Sequence, residues 1–411
     1  MKTLSYDVVV IGGGAAGLAA AIKAAENSSS VLVVDRNSEL GGILPQCIHD
    51  GFGNIVFKET LTGPEYAERL IEQLRGLDVD IELDTSVIKI SKDKIVIAVN
   101  KNGVLDIQAK AVVLAMGCRE RTRNQILIPG TRPAGIYTAG TVQYLINIKG
   151  ILPGKKVVIL GSGDVGLIMA RRLTLEGAEV LGVYEIQSTS TGLPRNIVQC
   201  LEDYSIPLFL SHTVTNIHGY DRLTGVTVAK VDDNFKPIPG TEEYIPCDTL
   251  VLAVGLVPEN ELSKQIGIPL DDTTGGPIVD NNMETMVPGF FACGNAVQVH
   301  DLVDDVTASG WVAGRSASLY ALNRLPAASR VSVLRGRNVR SVVPQRIRVD
   351  ASEVTMYIRV KEILRDARIR VKICDQIVYE VKRRVVKPAV MEKIVIPPSI
   401  GFSSDVEVEV I

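Results

Sequence analysis

The chain has 411 residues, 46% of them hydrophobic and 22% charged, with a formal net charge of −3. That is too long for one compact core and too apolar for a chain disordered throughout, so two or three packed domains are expected. Residues 325–411 carry 17 Lys and Arg against 10 Asp and Glu, which leaves an acidic body of 27 basic and 37 acidic residues. The basic tail reads either as a docking surface for an acidic partner or as an ordinary solvated face.

The opening, MKTLSYDVVVIGGGAAGLAAAIKAA, imitates a secretory leader, but its triple glycine and its Ser5-Tyr6-Asp7 suit a strand and loop. Residues 6–35 then read as a buried strand from Val8 to Ile11, the run Gly12-x-Gly14-x-x-Gly17, an alanine-rich helix, and a second strand ending at Asp35. Gly12 allows a tight turn, Gly14 lets the backbone approach a pyrophosphate, and Gly17 lets helix and strand pack closely. Ala15 and Ala16 open the helix, whose N-terminus attracts phosphate. Asp35, followed by Arg36, is set to accept hydrogen bonds from a ribose diol. The pattern recurs at 155–185 as strand, Gly161-x-Gly163-x-x-Gly166, helix, strand and Glu185. An acid there favours a free 2′-hydroxyl, so NAD is expected over NADP; Arg195, ten residues on, is the basic group a loop could return. Two dinucleotide sites in one chain imply a resident flavin and an exchanging nicotinamide, with hydride passing between them.

These motifs, together with AVVLAMG (111–117), DTLVLAVGLVPENEL (248–262) and VPGFFACGNAV (287–297), resemble the pyridine nucleotide–disulfide oxidoreductase superfamily over about residues 5–325. The resemblance implies an α/β fold with two Rossmann-like dinucleotide-binding domains, the NAD domain (121–245) inserted in an FAD domain (1–120 and 246–325). It implies that Gly42, Gly117, Gly294 and Asn295 also hold FAD. Asn295 stands where the family has an acid on the ribityl chain, and brings a hydrogen bond without the charge. Backbone amides near Val306 and Thr307 are expected at the flavin N1–C2 carbonyl.

The segment GCRERTRNQILIPGTRPAGIYTAGTVQ (117–143) is similar to flavoprotein subunits of amine, proline and opine dehydrogenases. GGILPQCIHDGFG, FKETLTGPEYA and GNAVQVHDLVDDV resemble the NAD-linked flavoprotein found beside anaerobic glycerol-3-phosphate dehydrogenase. The implied role is an FAD-dependent oxidoreductase that passes electrons between NAD(H) and a partner dehydrogenase or iron–sulfur protein.

Disulfide reductases of this family carry two cysteines four residues apart. Here Gly41-Gly42 is followed by Cys47 alone, and no C-x-x-C lies in the NAD domain. Cys47 reads either as a single redox thiol, with His49 as its cation or as a proton donor, or as a thiol that shapes the flavin pocket. Three functions stay open: an NADH:acceptor oxidoreductase that depends on a partner, a self-sufficient NADH oxidase or peroxidase using Cys47, and a flavin-holding structural subunit. His300 and Asp301 read as a proton relay or a contact for an acceptor, or as an ordinary turn with Asp304 and Asp305 as helix caps. The six cysteines, Cys47, Cys118, Cys200, Cys247, Cys293 and Cys374, lie far apart without zinc spacing. They point to a reducing cytoplasm, without structural disulfides or a metal site. No apolar run reaches the roughly 18 residues of a transmembrane helix.

Beyond residue 325, RIRVD, VTMYIRVKEI, ARIRVKICD, IVYEVKRRVV and DVEVEVI alternate apolar with polar residues. Half-buried antiparallel strands and a small β-sandwich-like domain at 328–411 are expected, with Ile369, Val371 and Ile373 inward and Arg368, Arg370 and Lys372 outward. The tail lacks the exposed aromatics of a nucleic-acid platform. It also differs from the dimerisation domain of disulfide reductases, so a different oligomeric assembly is implied.

Overall fold

The computed structural model describes residues 2–351 and 353–411. The chain forms two compact units: the residues up to Cys118 with Pro258–Ile411, and Arg119–Val257.

The first unit begins with strand β1 (Lys2–Ile11), helix α1 (Ala15–Glu26) and strand β2 (Val31–Val34). The apolar ends of both strands are buried, as central parallel strands must be. Alanine dominates α1, which favours the helix and keeps its surface low enough for close packing. Helix α2 (Gly63–Arg75) starts at a reciprocal cap, in which Glu65 Oε2 accepts the Thr62 N–H at 2.7 Å and Thr62 Oγ1 accepts the Glu65 N–H at 3.5 Å. It buries Tyr66, Ala67, Leu70 and Leu74 along one stripe. Strands β3 (Val79–Glu82), β4 (Ser86–Ile90), β5 (Ile95–Asn100) and β6 (Gly103–Leu114) complete a sheet ordered β3-β2-β1-β6-β5-β4, with Phe290–Ala292 also pairing along β6. In the parallel part of the sheet Ile11 pairs with Val34 and Leu114, Val34 with Glu82, and Leu114 with Ala292. The strands therefore end along one edge, and their loops emerge there together.

The second unit has the same construction. Leu208–Leu210, Glu179–Glu185, Lys156–Leu160, Thr249–Leu252 and Ile136–Thr138 form a parallel sheet in that order. Asp164–Leu175 is the helix that follows the Lys156–Leu160 strand. One expectation needs correction. The sequence places Thr249–Leu252 in the return to the first domain, whereas this strand pairs with both Lys156–Leu160 and Ile136–Thr138, and the chain leaves the second unit at 257/258. The sheet of the second unit needs this strand beside its glycine-loop strand, so the return comes about a dozen residues later than the 246 expected.

Back in the first unit, helix Val303–Ala321 packs on α1 through small residues. A Cβ added at Gly314 would lie 2.0 Å from the Ala20 carbonyl. The C-terminal strands form two sheets, one ordered Arg346–Arg348, Arg330–Arg335, Val406–Val410, Leu364–Ile373, Gln376–Val386, the other Val339–Val343, Val354–Val360, Glu392–Ile396. They enclose one core containing Ile347, Met356, Ile358, Ile369, Val371, Ile394 and Val408, which makes a sandwich. Outside that core Arg370 faces Glu380 and Glu409 across the sheet, bonding Glu380 at 2.6 Å.

The sandwich is joined to the rest of its unit by charge. Arg330 bridges Asp280 (2.7 Å) and Glu284, Arg359 pairs with Asp301, and Lys393 reaches Asp305 at 2.7 Å. Part of the basic excess of the tail thus neutralises acids of its own unit. Among the described residues, no helix is long and apolar enough to cross a membrane.

Candidate functional site

Each glycine loop leaves the carboxyl edge of its parallel sheet, where open α/β sheets bind ligands. Gly12 (φ +105°) and Gly161 (φ +100°) both have left-handed backbone, and each lies against an alanine carbonyl of the neighbouring strand's exit. A Cβ would lie 2.4 Å from the Ala115 oxygen in one case and 2.2 Å from the Ala253 oxygen in the other. At the third glycines, a Cβ on Gly17 would lie 1.8 Å from the Gly12 oxygen, and one on Gly166 would lie 2.8 Å from the Gly161 oxygen. No side chain larger than hydrogen fits these positions without moving the backbone.

The acids close each loop in the same way. Asp35 is buried; its Oδ2 accepts the Gly13 N–H at 2.5 Å and its Oδ1 the Asn37 N–H at 2.7 Å. Glu185, also buried, accepts the Ser162 N–H at 2.9 Å and the Gln187 N–H at 2.9 Å. Ser162 Oγ donates a further bond to Glu185 Oε2 at 2.6 Å. Ser162 was missed in the sequence, although it occupies the variable position inside the glycine motif. Arg36 and Arg195 are exposed. The loop after Glu185 returns over the motif, where Leu193 N–H and Asn196 Nδ2 donate to Asp164 Oδ1 at 2.8 and 2.7 Å.

The first loop fits a dinucleotide. Helix α1 has no side-chain cap at Gly14 and no acid in its first turn, so its amides and their partial positive charge face whatever lies at the loop. Ala15 and Ala16 are buried behind it. Gly42 stands over Gly14, where a Cβ would come within 3.0 Å of the Gly14 Cα, and Gly41 N–H donates to Gly13 O at 2.8 Å. Gly117, beyond β6, accepts the Glu259 N–H at 3.0 Å. In the second unit a cavity of about 390 Å³ is lined by Thr122, Arg132, Tyr137, Thr138 and Leu252, at the same sheet edge as the Gly161 loop.

The second motif of the first unit meets the first loop. A Cβ on Gly294 would touch Ala16 Cβ (2.7 Å) and Val306 Cγ1 (3.2 Å), and Gly294 N–H donates to Ser309 Oγ at 2.8 Å. Asn295 Oδ1 accepts the His300 N–H at 3.0 Å, and its Nδ2 lies 3.7 Å from Cys118 Sγ. Among the described residues, the buried Gln298 Nε2 and His300 Nδ1 of this segment have no hydrogen-bond partner, which suits a site that a ligand completes. Burial pushes the His300 imidazole down to about 4, against the opposing pull of Asp305 and Asp301, so it is neutral at pH 7.

The Val306 N–H donates to the Leu302 carbonyl at 3.3 Å, and Thr307 Oγ1 shares a 2.7 Å bond with Tyr66 OH. The helix begins at Val303, so the amides outside its ladder belong to Val303 and Asp304.

Cys47 ends a 3₁₀ turn (Leu44–Gln46), with Sγ 3.4 Å from the Ile43 carbonyl. Its own carbonyl accepts the Gly63 N–H at the start of α2 (2.8 Å). His49 Nδ1 lies 3.0 Å from the Asp50 carbonyl, and its ring packs on Phe52. Burial pushes the thiols of Cys247 and Cys293 up to about 12, so both stay protonated at neutral pH.

The chain is 28% identical over 288 residues to hydrogen cyanide synthase subunit HcnB of Pseudomonas protegens, a match covering 64% of this chain and 60% of that one. It is 26% identical over 339 residues to ferredoxin–NADP reductase 2 of Listeria welshimeri, covering 80% and 96%. Among solved structures, the thioredoxin reductase of T. acidophilum superposes with a TM-score of 0.62 at 24% identity, over 78% of this chain and 99% of that one, and shares its fold. The chain thus spans less than two thirds of the length of HcnB. A family model describing pyridine nucleotide-disulphide oxidoreductases matches residues 6–313, three quarters of the chain and both glycine loops, so the protein belongs to the pyridine nucleotide-disulphide oxidoreductase family of flavin oxidoreductases.

Proposed function

We propose that the protein is an FAD-dependent NADH:acceptor oxidoreductase, with FAD in the first unit and NAD(H) in the second. The observation that carries this reading is one construction built twice: a glycine loop at a parallel sheet edge, closed by a buried acid that takes the amide of the loop's second residue. Bound FAD would supply two-electron exchange with a nicotinamide and with a further redox partner. The chain's own residues bind and orient. Gly12, Gly14 and Gly17 bring backbone to the pyrophosphate, the N-terminus of α1 offsets its charge, and the free lone pairs of Asp35 accept from a ribose diol. Gly42, Gly117, Gly294 and Asn295 complete the FAD site, with Asn295 as a neutral hydrogen-bonding group. In the second unit Gly161, Gly163, Gly166 and Glu185 hold NAD, and the Glu185 carboxylate disfavours a 2′-phosphate.

The electron partner in this reading is a dehydrogenase or an iron–sulfur protein, as suits the flavoprotein found beside anaerobic glycerol-3-phosphate dehydrogenase. HcnB is itself named as a subunit. The same reading assigns the protein to a reducing cytoplasm and to an oligomer.

Anaerobic titration with NADH, and separately with NADPH, tests it through the flavin absorbance. Bleaching by NADH at far lower concentration than by NADPH is expected. No bleaching with either nucleotide would refute the hydride path, and equal bleaching would remove the role given to Glu185. A long-wavelength band on reduction that disappears in Cys47→Ser would assign Cys47 a thiolate role against the flavin.

A further inference from the structure

We propose that the C-terminal sandwich sets the redox poise of the flavin site, through Lys393 acting on Asp305. This rests on the reading of the first unit as an FAD site. Gly294 lies against both Ala16 and Val306, so the N-termini of α1 and of the 303–321 helix adjoin at one sheet edge. The first turn of the later helix carries Asp304 and Asp305, both buried. Two unpaired carboxylates there would cancel the positive field that a helix start otherwise offers.

Each acid has a partner that offsets it. Asp304 Oδ1 accepts the Ile55 and Val56 amides at 3.1 and 2.8 Å, inside the body of the unit. Asp305 depends on the sandwich: its Oδ1 takes Lys393 Nζ at 2.7 Å and Tyr357 OH at 3.2 Å. Asp301 is likewise held by Arg359 and by the Met391 N–H at 2.7 Å, and Arg359 also donates to the Val299 carbonyl at 3.2 Å. His300 stands edge-on to the Tyr357 ring, 5.1 Å between centroids, and its backbone donates to Asn295. The strands Val354–Val360 and Glu392–Ile396 therefore supply the cations that neutralise the segment leading from Asn295 into the helix.

A flavin becomes more electron-rich on reduction, so a nearby carboxylate left without its cation disfavours the reduced form. Lys393 is a positioning residue in this scheme; it acts through Asp305 and not on the cofactor. The contacts also give the sandwich a task beyond packing. Any partner that displaced Lys393 from Asp305 would lower the flavin potential.

The test is anaerobic equilibration of full-length, FAD-loaded protein with a reference redox dye, read spectroscopically at fixed dye potential. Lys393→Met is expected to lower the ratio of reduced to oxidised flavin about tenfold, which is about 30 mV for a two-electron couple. Asp305→Asn should raise the ratio, the double variant should return to within about threefold of wild type, and Lys393→Arg should match wild type. Single variants that leave the ratio unchanged, or that move it in the same direction, overturn the proposal. If Lys393→Met does not fold, the rise in Asp305→Asn and its reversal in the double variant still decide. A wild-type protein that takes up no FAD fails at an earlier step, the flavin reading itself.

Discussion

Arg330→Met tests how the sandwich is held. Arg330 Nε bonds Asp280 Oδ2 at 2.7 Å and its other arm bonds Glu284; the two acid side chains are 1% and 6% exposed and that of Arg330 is 22% exposed. Burial raises the Glu284 pKa, with the Gly289 N–H and the Arg330 charge working against it, while Asp280 pushes it further up and Arg348 pulls it down. Removing Arg330 leaves two buried carboxylates without their main cation, a change that typically costs about 3–5 kcal/mol. Discounting for the partial exposure of Arg330, we expect about 3 kcal/mol at pH 7, or roughly 6–12 °C in melting temperature for a unit of this size. The pH dependence has a definite sign. Glu284 binds a proton more readily folded than unfolded, and more so without Arg330, so the deficit should shrink as pH falls from 7 toward 5. Fluorescence of the single tryptophan, Trp311, reports the unit concerned, because it lies in the 303–321 helix. Urea unfolding of wild type and variant at pH 7 and pH 5 supplies both numbers. A loss below about 1 kcal/mol at pH 7, or one that does not change with pH, would refute the buried-clamp argument.

Three further outcomes are expected. Glu185→Ala removes the acceptor of the Ser162 and Gln187 amides, and should raise the KM for NADH by at least about tenfold while narrowing the preference over NADPH; steady-state kinetics with both nucleotides check it. Gly17→Ala drives a methyl into the Gly12 carbonyl, and should cost more than about 3 kcal/mol and most of the FAD content, measured by melting and by absorbance of the purified protein. His300 is held neutral among Asp301, Asp305, Arg359 and Lys393, so the unfolded chain takes its proton first and stability should fall as pH drops from about 6.5 toward 4. His300→Phe should flatten that part of the melting-temperature profile, and an unchanged slope would count against the burial of the ring.

Both glycine loops were legible in the sequence because their requirements are local. A turn, a close backbone approach and an acid at the end of the next strand all lie within about thirty residues. The strands of the tail were legible for a similar reason, since Ile369 and Val371 alternate with Arg370 and Lys372 on a sheet with one wet face. The boundary near 246 was misplaced, though a signal existed. AVVLAMG and TLVLAVG are near-copies, and each supplies an alanine whose carbonyl packs under the first glycine of its own loop, so the second copy belonged with the second loop. The contacts of Ser309 with Gly294, Tyr66 with Thr307, and the clamp of Arg330, Arg359 and Lys393 join residues up to 241 positions apart. No periodicity encodes such pairs; only the folded topology brings them together.

The interruption of the first unit by the second governs the order in which the chain can fold as it is synthesised. Residues 119–257 emerge as one continuous stretch, so that unit has all its strands before the first is complete. The sheet of β1 and β6 must wait for Phe290–Ala292, and α1 for the 303–321 helix that covers it. At about 5–20 residues per second, that wait from Cys118 is on the order of 10–40 seconds. During it the alanine face of α1 and the edge of β6 stand open on the nascent chain, exposed to unproductive contacts until their covering segments arrive.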